Sequence, residues 1–186
     1  FSTVALNVNS EEIKFESKLI DIIRDEKIMV ASGDVSAIIG NKSLKSDKLE
    51  LNKITNIHVI SGNVFFEDNF NNNIYSEKII YDETAEKYIS PDDTTLIINN
   101  LYKIKTKNLI YNKNKKILIN DEETTASDDL GNNFFFNGFL YDIEKNFIKA
   151  KNVKIFDKHN NSYEINTFLY DLNEKKFFGK DISINN

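Results

Sequence analysis

The side chains that could carry acid–base or metal chemistry are two histidines and several pairs of neighbouring acidic residues. His58 and His159 stand alone, with no carboxylate pattern at ligand spacing, and we expect surface or strand-face residues. The acidic pairs lie in polar segments typical of turns: Asp92–Asp93, Glu122–Glu123 and Asp128–Asp129. Such oxygens could bind calcium, but the spacing of an EF-hand loop is missing, so solvated turn residues are the favoured interpretation.

Sequence motifs of known catalytic mechanisms are absent. There is no G-x-S-x-G nucleophile, no phosphate-binding loop, no H-E-x-x-H zinc motif and no G-x-G-x-x-G dinucleotide fingerprint. Cysteine is absent too, which excludes disulfides and thiolate metal sites. We therefore expect a protein that is not an enzyme, with no cofactor and no metal site.

Length and composition fit one soluble repeat domain. The chain has 186 residues, of which 40% are hydrophobic and 28% charged, and its net charge is −5. Acidic and basic residues are interleaved, which argues against nucleic acid as a partner. Residues 1–10 are interpreted as either a signal-peptide remnant or a first strand, and residues 11–186 as a single domain.

The elements that position the side chains follow an internal repeat of about 30 residues. Each unit contains a similar short segment of alternating polar and apolar residues. We call the last apolar residue of that segment the marker of the unit, and the six markers are Ile22, Leu51, Tyr81, Tyr111, Tyr141 and Tyr170. The residues two and seven positions before each marker are also apolar in every unit, and we call each such set of equivalent positions a column. Six units therefore fill nearly the whole chain.

Each unit reads as two strands joined by polar turns, because β-branched and aromatic residues alternate with polar ones and helical spacing is not sustained. About twelve strands in an antiparallel meander follow. The apolar columns stay on one face only if the first strand has a bulge or a bend three or four residues before the marker. In the second strand, Gly33 and Gly62 indicate a bend, with a tight hairpin turn as the alternative.

Bends aligned at mid-strand would fold the sheet over into a V-shaped, jellyroll-like solenoid with an apolar interior. That interior is either a sealed core or a groove that binds apolar ligands. A small polar column, Ser17, Ser46, Ser76 and Thr106, suggests a roomier interior towards the N-terminus. The third and fourth units lack this glycine, so the bends of their second strands, which we call corners, are expected to differ from the others. In the third unit, Pro91 also lacks the backbone N–H that would bond to a neighbouring strand.

Four segments resemble the OstA-like family of lipopolysaccharide transport proteins: "FESKLI" (15–20), "VASGDV" (30–35), "LKSDKLELN" (44–52) and "VISGNV" (59–64). Its members include the periplasmic bridge protein LptA and the N-terminal periplasmic domain of LptD. Residues 13–66 carry the closest match, and residues 74–186 match through the repeat columns. The aromatic-rich second half favours the LptD domain over an LptA-like bridge.

The resemblance implies an all-β, open β-jellyroll in the periplasm, associated with the outer membrane, whose groove holds the acyl chains of lipopolysaccharide. The residues expected to line this groove are Phe15, Ile20, Ile22, Leu44, Leu49, Leu51, Ile74, Ile79, Tyr81, Ile104, Leu109, Tyr111, Phe134, Phe139 and Tyr141. Implied partners are lipopolysaccharide, other jellyroll proteins of the same bridge through edge strands, and an outer-membrane barrel C-terminal to this chain. The alternative is a structural β-solenoid that mediates only protein–protein contacts.

Two surfaces are expected to bind partners. The position before the marker is apolar in the last four units (Ile80, Ile110, Leu140 and Leu169) and faces away from the interior, which predicts a covered outer face. The ends of the array, near Ile13–Ser17 and Ile182–Ile184, are expected to be open edges that pair with neighbouring jellyrolls.

Overall fold

The computed structural model describes residues 2–8, 11–39, 42–68 and 72–185. Within these ranges the chain forms strands and turns, with no helix, and therefore no helix that could cross a membrane. The strands are β1 Ser2–Val8, β2 Glu11–Ser17, β3 Leu19–Ile23, β4 Ile28–Ile39, β5 Lys42–Asn52, β6 Ile57–Glu67, β7 Asn73–Asp82, β8 Lys87–Ser90, β9 Thr94–Ile98, β10 Tyr102–Thr106, β11 Leu109–Asn112, β12 Ile117–Ser127, β13 Asn133–Asp142, β14 Phe147–Phe156, β15 Ser162–Asp171 and β16 Lys176–Asn185.

All sixteen strands belong to one antiparallel sheet in which sequence neighbours pair, as a meander requires. This confirms the predicted all-β fold of two-stranded units. The strand number exceeds twelve for two reasons. Three of the expected strands are split at their bends, into β2/β3, β8/β9 and β10/β11, and β1 adds one strand before the first unit.

Each long strand bends at mid-length, which divides the sheet into two layers. Layer A contains β1, β2, β9, β10 and residues 35–39, 42–46, 64–67, 73–76, 123–127, 133–137, 153–156, 162–165 and 182–185. Layer B contains β3, β8, β11 and residues 28–32, 48–52, 57–61, 78–82, 117–120, 139–142, 147–151, 167–171 and 176–180. The register shifts at the bends: between β5 and β6 the step from Lys45 to Lys48 faces a longer step from Phe65 to Ser61, so the extra residue lies on the second strand of the unit. The predicted irregularity of the first strand is therefore a bend, and in β5 the alternation of buried and exposed side chains breaks there, at the exposed pair Asp47 and Lys48.

The glycines of the second strands lie at these corners. Gly33 has a φ of 77° and lies in the shift between Ser32 and Val35, and Gly62 has a φ of 76° in the equivalent shift of β6. A third corner glycine, Gly138, has a φ of 73° and belongs to a first strand, three residues before its marker. Glycine adopts this left-handed backbone without the steric cost that a Cβ atom adds.

The turns are closed by short polar side chains. In layer B, the acidic or amide residue after the marker caps the turn, as when Asp82 Oδ1 accepts the N–H of Ala85 at 2.8 Å. In layer A, an Asp and the Asn four residues later form the same bonds in three turns: Asp68–Asn72, Asp128–Asn132 and Asp157–Asn161. Such side chains satisfy backbone groups that the ladder leaves unpaired.

Candidate functional site

The inner surface of layer B is built from the marker column. Pairing places Leu51, His58, Tyr81, Tyr88 and Tyr111 side by side on consecutive strands. The rings of Tyr81 and Tyr88 stack with centroids 4.3 Å apart, and those of Tyr88 and Tyr111 lie 5.9 Å apart. Stacked aromatic cross-strand pairs stabilise a sheet and give this wall an apolar surface with hydroxyl groups along it.

The fifteen residues expected to line the groove are placed in three ways. Most are buried in the packed interior: Phe15, Leu44, Leu49, Leu51, Ile79, Tyr81, Ile104, Leu109, Phe134, Phe139 and Tyr141. Ile20, Ile74 and Tyr111 are half-buried. Ile22 is 65% exposed on β3, which pairs with β4 alone and is therefore the edge strand of layer B.

A cavity of about 510 Å³ opens between the two layers in the middle of the array. Its apolar lining comes from both layers: Phe66, Ile74 and Leu96 of layer A, and Tyr111, Leu118, Tyr141 and Ile143 on the layer B side. Polar side chains form the rim: Lys42, Asp68, Asn72, Asn99, Lys116, Glu144 and Asn146. An apolar cleft with a polar rim suits an amphiphile whose apolar part is inside.

Three of the predicted residues, Ile74, Tyr111 and Tyr141, line this cavity. The repeat columns missed Leu118 and Leu96 because those columns follow only the first strand of each unit. Both residues lie in apolar runs of second strands, "LII" (96–98) and "ILI" (117–119), so a column drawn through the second strands would have included them.

The cavity ends where the layers touch. Tyr102 of layer A and Tyr170 of layer B meet with their hydroxyl oxygens 3.3 Å apart, and Lys175 Nζ lies 3.2 Å from Asp129 Oδ2 between the facing turns. From here to the C-terminal units, the interior is filled by buried side chains such as Phe134. This part of the interior is a sealed core rather than an open groove.

The interior is uncovered at the C-terminal end of the array. Phe177, Ile182 and Ile184 of β16 pair with inward-facing residues of β15, yet they are 47%, 48% and 59% exposed. At the N-terminal end, β1 pairs with β2 along the whole of Ile13–Ser17. The expectation that Ile13–Ser17 is an open edge is therefore wrong, and the free edges there are those of β1 and β3.

The small polar column belongs to the corners rather than to a roomy interior. Ser17, Ser46 and Ser76 are buried, and each hydroxyl donates to the carbonyl oxygen two residues later, at 2.9–3.2 Å. These bonds satisfy carbonyl groups at the bend. The expectation of a wider N-terminal interior is thus wrong at this column, since the space is occupied by the fold itself.

The corner of the third unit differs from the others, as its sequence predicts. The same prediction is wrong for the fourth unit, because residues 120–123 stay within β12 with a register shift like those at the glycine corners, and its first strand is the one that is interrupted. The chain leaves the sheet at 91–93 and at 107–108, and a chain of buried hydroxyls replaces the ladder there. Ser90 Oγ lies 2.6 Å from Ser76 Oγ and 2.7 Å from Thr94 Oγ1. An outer cavity of about 830 Å³ borders this break, but charged side chains such as Asp93 and Lys107 line it, so we place the candidate site in the smaller apolar cavity.

Two ionisable groups at the cavity, Tyr141 in its wall and Lys116 at its rim, are uncharged and ion-paired respectively. Burial raises the pKa of Tyr141 to about 12, with smaller contributions from Asp68 and Asp142, and its hydroxyl donates to Asn146 Oδ1 at 2.9 Å. At the rim, the hydrogen bond to Glu144 raises the pKa of the Lys116 ammonium group. The cavity wall therefore stays neutral at physiological pH, as binding of an apolar chain requires.

The two histidines occupy different environments. His58 is buried on the inner face of layer B, where Nδ1 accepts the N–H of Asn52 at 3.3 Å and Nε2 lies 3.1 Å from Glu83 Oε2. It is a strand-face residue, and the surface alternative is wrong for it, whereas His159 is exposed in a turn. Among the described residues, no three His, Asp or Glu side chains are grouped closely enough to hold a metal ion.

Similarity to known proteins is found among solved structures. No protein-family model and no curated protein matches the chain. A solved structure that it resembles is that of LptH, the LptA homologous periplasmic component of the conserved lipopolysaccharide transport device from Pseudomonas aeruginosa. The two chains are 16% identical, the match covers 75% of this chain and 81% of that one, and the TM-score is 0.32. We draw no inference about function from a likeness at this level.

Proposed function

We propose that this protein is a non-enzymatic carrier that binds the acyl chains of lipopolysaccharide between its two layers and relays the lipid through the periplasm. The observation that carries the proposal is the apolar cavity between Ile74 and Tyr111, which opens laterally beneath a polar rim. Each methylene group that leaves water there contributes about 0.8 kcal/mol. The polar part of the lipid stays at the rim, where Lys42 can meet anionic groups.

The ends of the array support a relay between molecules. At the C-terminal end, Phe177, Ile182 and Ile184 extend the apolar inner surface to an edge strand with unpaired backbone groups. At the N-terminal end, β3 offers a second free edge beside the exposed Ile22. Strand addition by other jellyroll proteins would continue both the sheet and its apolar interior.

The compartment and the pathway rest on the sequence resemblance. The segments at 15–20, 30–35, 44–52 and 59–64 favour a periplasmic protein associated with the outer membrane. Either an LptD N-terminal domain followed by a barrel or an LptA-like bridge protein fits these segments. A pull-down from periplasm that recovers an outer-membrane barrel protein would favour the first, and recovery of soluble jellyroll proteins alone would favour the second.

Site-specific photocrosslinking tests lipid binding directly. A photoreactive residue at Tyr111 or Leu118 should capture lipopolysaccharide in cells, because both side chains line the cavity. The matched control is the exposed Thr125 on the outside of layer A, which should capture none. Equal capture at all three positions, or capture at Thr125 alone, would contradict the proposal.

A structural β-solenoid that mediates only protein contacts is the second candidate function. The sealed core around Tyr102 and Tyr170 favours it, because side chains rather than a ligand fill that half of the interior. The two functions separate in one measurement. A purely structural role predicts that purified protein binds no lipopolysaccharide while it still associates through β3 and β16, whereas the carrier role predicts saturable binding by the monomer.

A further inference from the structure

The outer side of the last three strands carries an unusual combination of lysine and apolar side chains. The outward positions form three cross-strand rows of three residues each, which we call the basic face: Phe147–Asp171–Lys176, Lys149–Leu169–Phe178 and Lys151–Thr167–Lys180. These residues lie on the opposite side of layer B from the buried Ile148, Ala150, Phe168 and Tyr170. The basic face therefore takes no part in the interior where the proposed cargo binds.

The charge of the basic face is opposite to that of the whole chain. Four lysines and one aspartate occupy its nine positions, whereas the protein has a net charge of −5. The carboxylate of Asp171 is used within its own turn, where it accepts the N–H groups of Asn173 and Glu174. Among the described residues, Lys149, Lys151 and Lys180 form no ion pair, so their charges face solvent.

Apolar groups are interleaved with these lysines. Phe178 is 56% exposed on the edge strand, and Leu169 beside it is half-buried. The ammonium group of Lys149 lies 4.9 Å from the centre of the Phe147 ring, and that of Lys145 lies 5.8 Å from it. Aromatic rings surrounded by flexible lysine stems are typical of surfaces that lie at the boundary between water and lipid headgroups.

We propose that the basic face docks the protein on a bilayer containing anionic phospholipids. Charge complementarity favours this occupant, because unpaired lysines are attracted to a negatively charged membrane despite the acidic net charge of the chain. The exposed ring of Phe178 favours a membrane over a purely polar partner, since it can enter the headgroup region. Docking through this face leaves the lateral cavity near Tyr111 and the free edge of β3 accessible.

Vesicle flotation with the full chain tests the proposal. We expect binding to vesicles of phosphatidylcholine with 30% phosphatidylglycerol (roughly 70:30 by mole), and loss of that binding on raising the salt to about 0.5 M. The triple variant Lys149→Gln/Lys151→Gln/Lys180→Gln should bind on the order of 100-fold more weakly, at about five-fold per lysine. Phe178→Ser should weaken binding about ten-fold at low salt.

A matched triple variant keeps the change in net charge the same. Lys45, Lys103 and Lys105 are exposed on the outside of layer A, and their replacement by Gln should change vesicle binding by less than about three-fold. Circular dichroism establishes that all variants retain their strands. Equal binding to neutral and anionic vesicles, an equal loss in both triple variants, or no vesicle binding by the unmodified chain would overturn the proposal. If the unmodified chain binds no vesicles, the basic face would be assigned to an acidic protein partner instead of a membrane.

Discussion

Tyr102 and Tyr170 are 68 residues apart in the sequence and meet across the interior, with their rings at 86° and their hydroxyl oxygens 3.3 Å apart. Both side chains are buried. Burial, followed by the hydrogen bond to Tyr102, raises the pKa of Tyr170. This pair joins layer A to layer B where the cavity ends and adds a hydrogen bond to the apolar packing between the layers.

Removing the hydroxyl of Tyr102 or of Tyr170 should show how much their hydrogen bond stabilises the fold. We expect Tyr102→Phe and Tyr170→Phe each to lower the free energy of unfolding by about 1 kcal/mol, because each leaves a buried hydroxyl without its partner. The double variant should lose little more than either single one. Urea denaturation measures the three values, with Tyr75→Phe as a control because Tyr75 is 44% exposed. Strictly additive losses would show that the two hydroxyls act independently.

Stability should fall in alkaline solution through Tyr141. Its folded-state pKa is about 12, above the value of about 10 expected in the unfolded chain, so folding favours the protonated phenol. The stabilisation is complete below about pH 10 and is lost as the pH rises towards about 12, to a total of about 2–3 kcal/mol. Denaturant titrations at several pH values measure this slope. Tyr141→Phe should make the slope shallower, with Tyr170 supplying the remainder, and an unchanged slope in that variant would assign the effect to other tyrosines.

Gly138 should be intolerant of a side chain. A Cβ atom there would lie 2.9 Å from the carbonyl oxygen of Asn120 and 3.1 Å from the Cα atom of Asp121, and its φ is 73°. Gly138→Ala should therefore cost more than the roughly 1–2 kcal/mol of the left-handed backbone alone. Gly131→Ala is the matched control, since its φ is 88° but the nearest atom, Lys158 Cβ, is 3.4 Å away. Equal thermal destabilisation of both variants would show that the contact with Asn120 is unimportant.

Filling the cavity should reduce lipid binding without unfolding the protein. Ile74→Trp places a large ring between Phe66 and Leu118, at a packing cost of about 1–3 kcal/mol. We expect at least a several-fold loss of lipopolysaccharide binding in a fluorescence titration. Tyr75→Trp changes the exposed neighbour of Ile74 and should bind normally. Normal binding by a folded Ile74→Trp variant would exclude this cavity as the lipid site.

Much of the fold could be predicted because its signals are local. The 30-residue period, the alternation within strands and the Asp or Asn after each marker define strands, turns and inward columns from neighbouring residues alone. The bend three residues before the marker follows from the break in alternation, and Asn108 and Gly138 have positive φ there. The three Asp-x-x-x-Asn turns were visible in the sequence too, as a spacing within single loops.

Strand alternation has a period of two and the columns repeat, so the order of residues already specifies which side chains face inward. What those side chains meet across the interior depends on how the two layers pack. Twisted layers cross at an offset, so Tyr102 on β10 meets Tyr170 on β15 rather than a residue of its own unit. That offset seals the interior around Phe134 and opens the cavity beside Tyr111. It depends on twist summed over many strands, which no single repeat encodes.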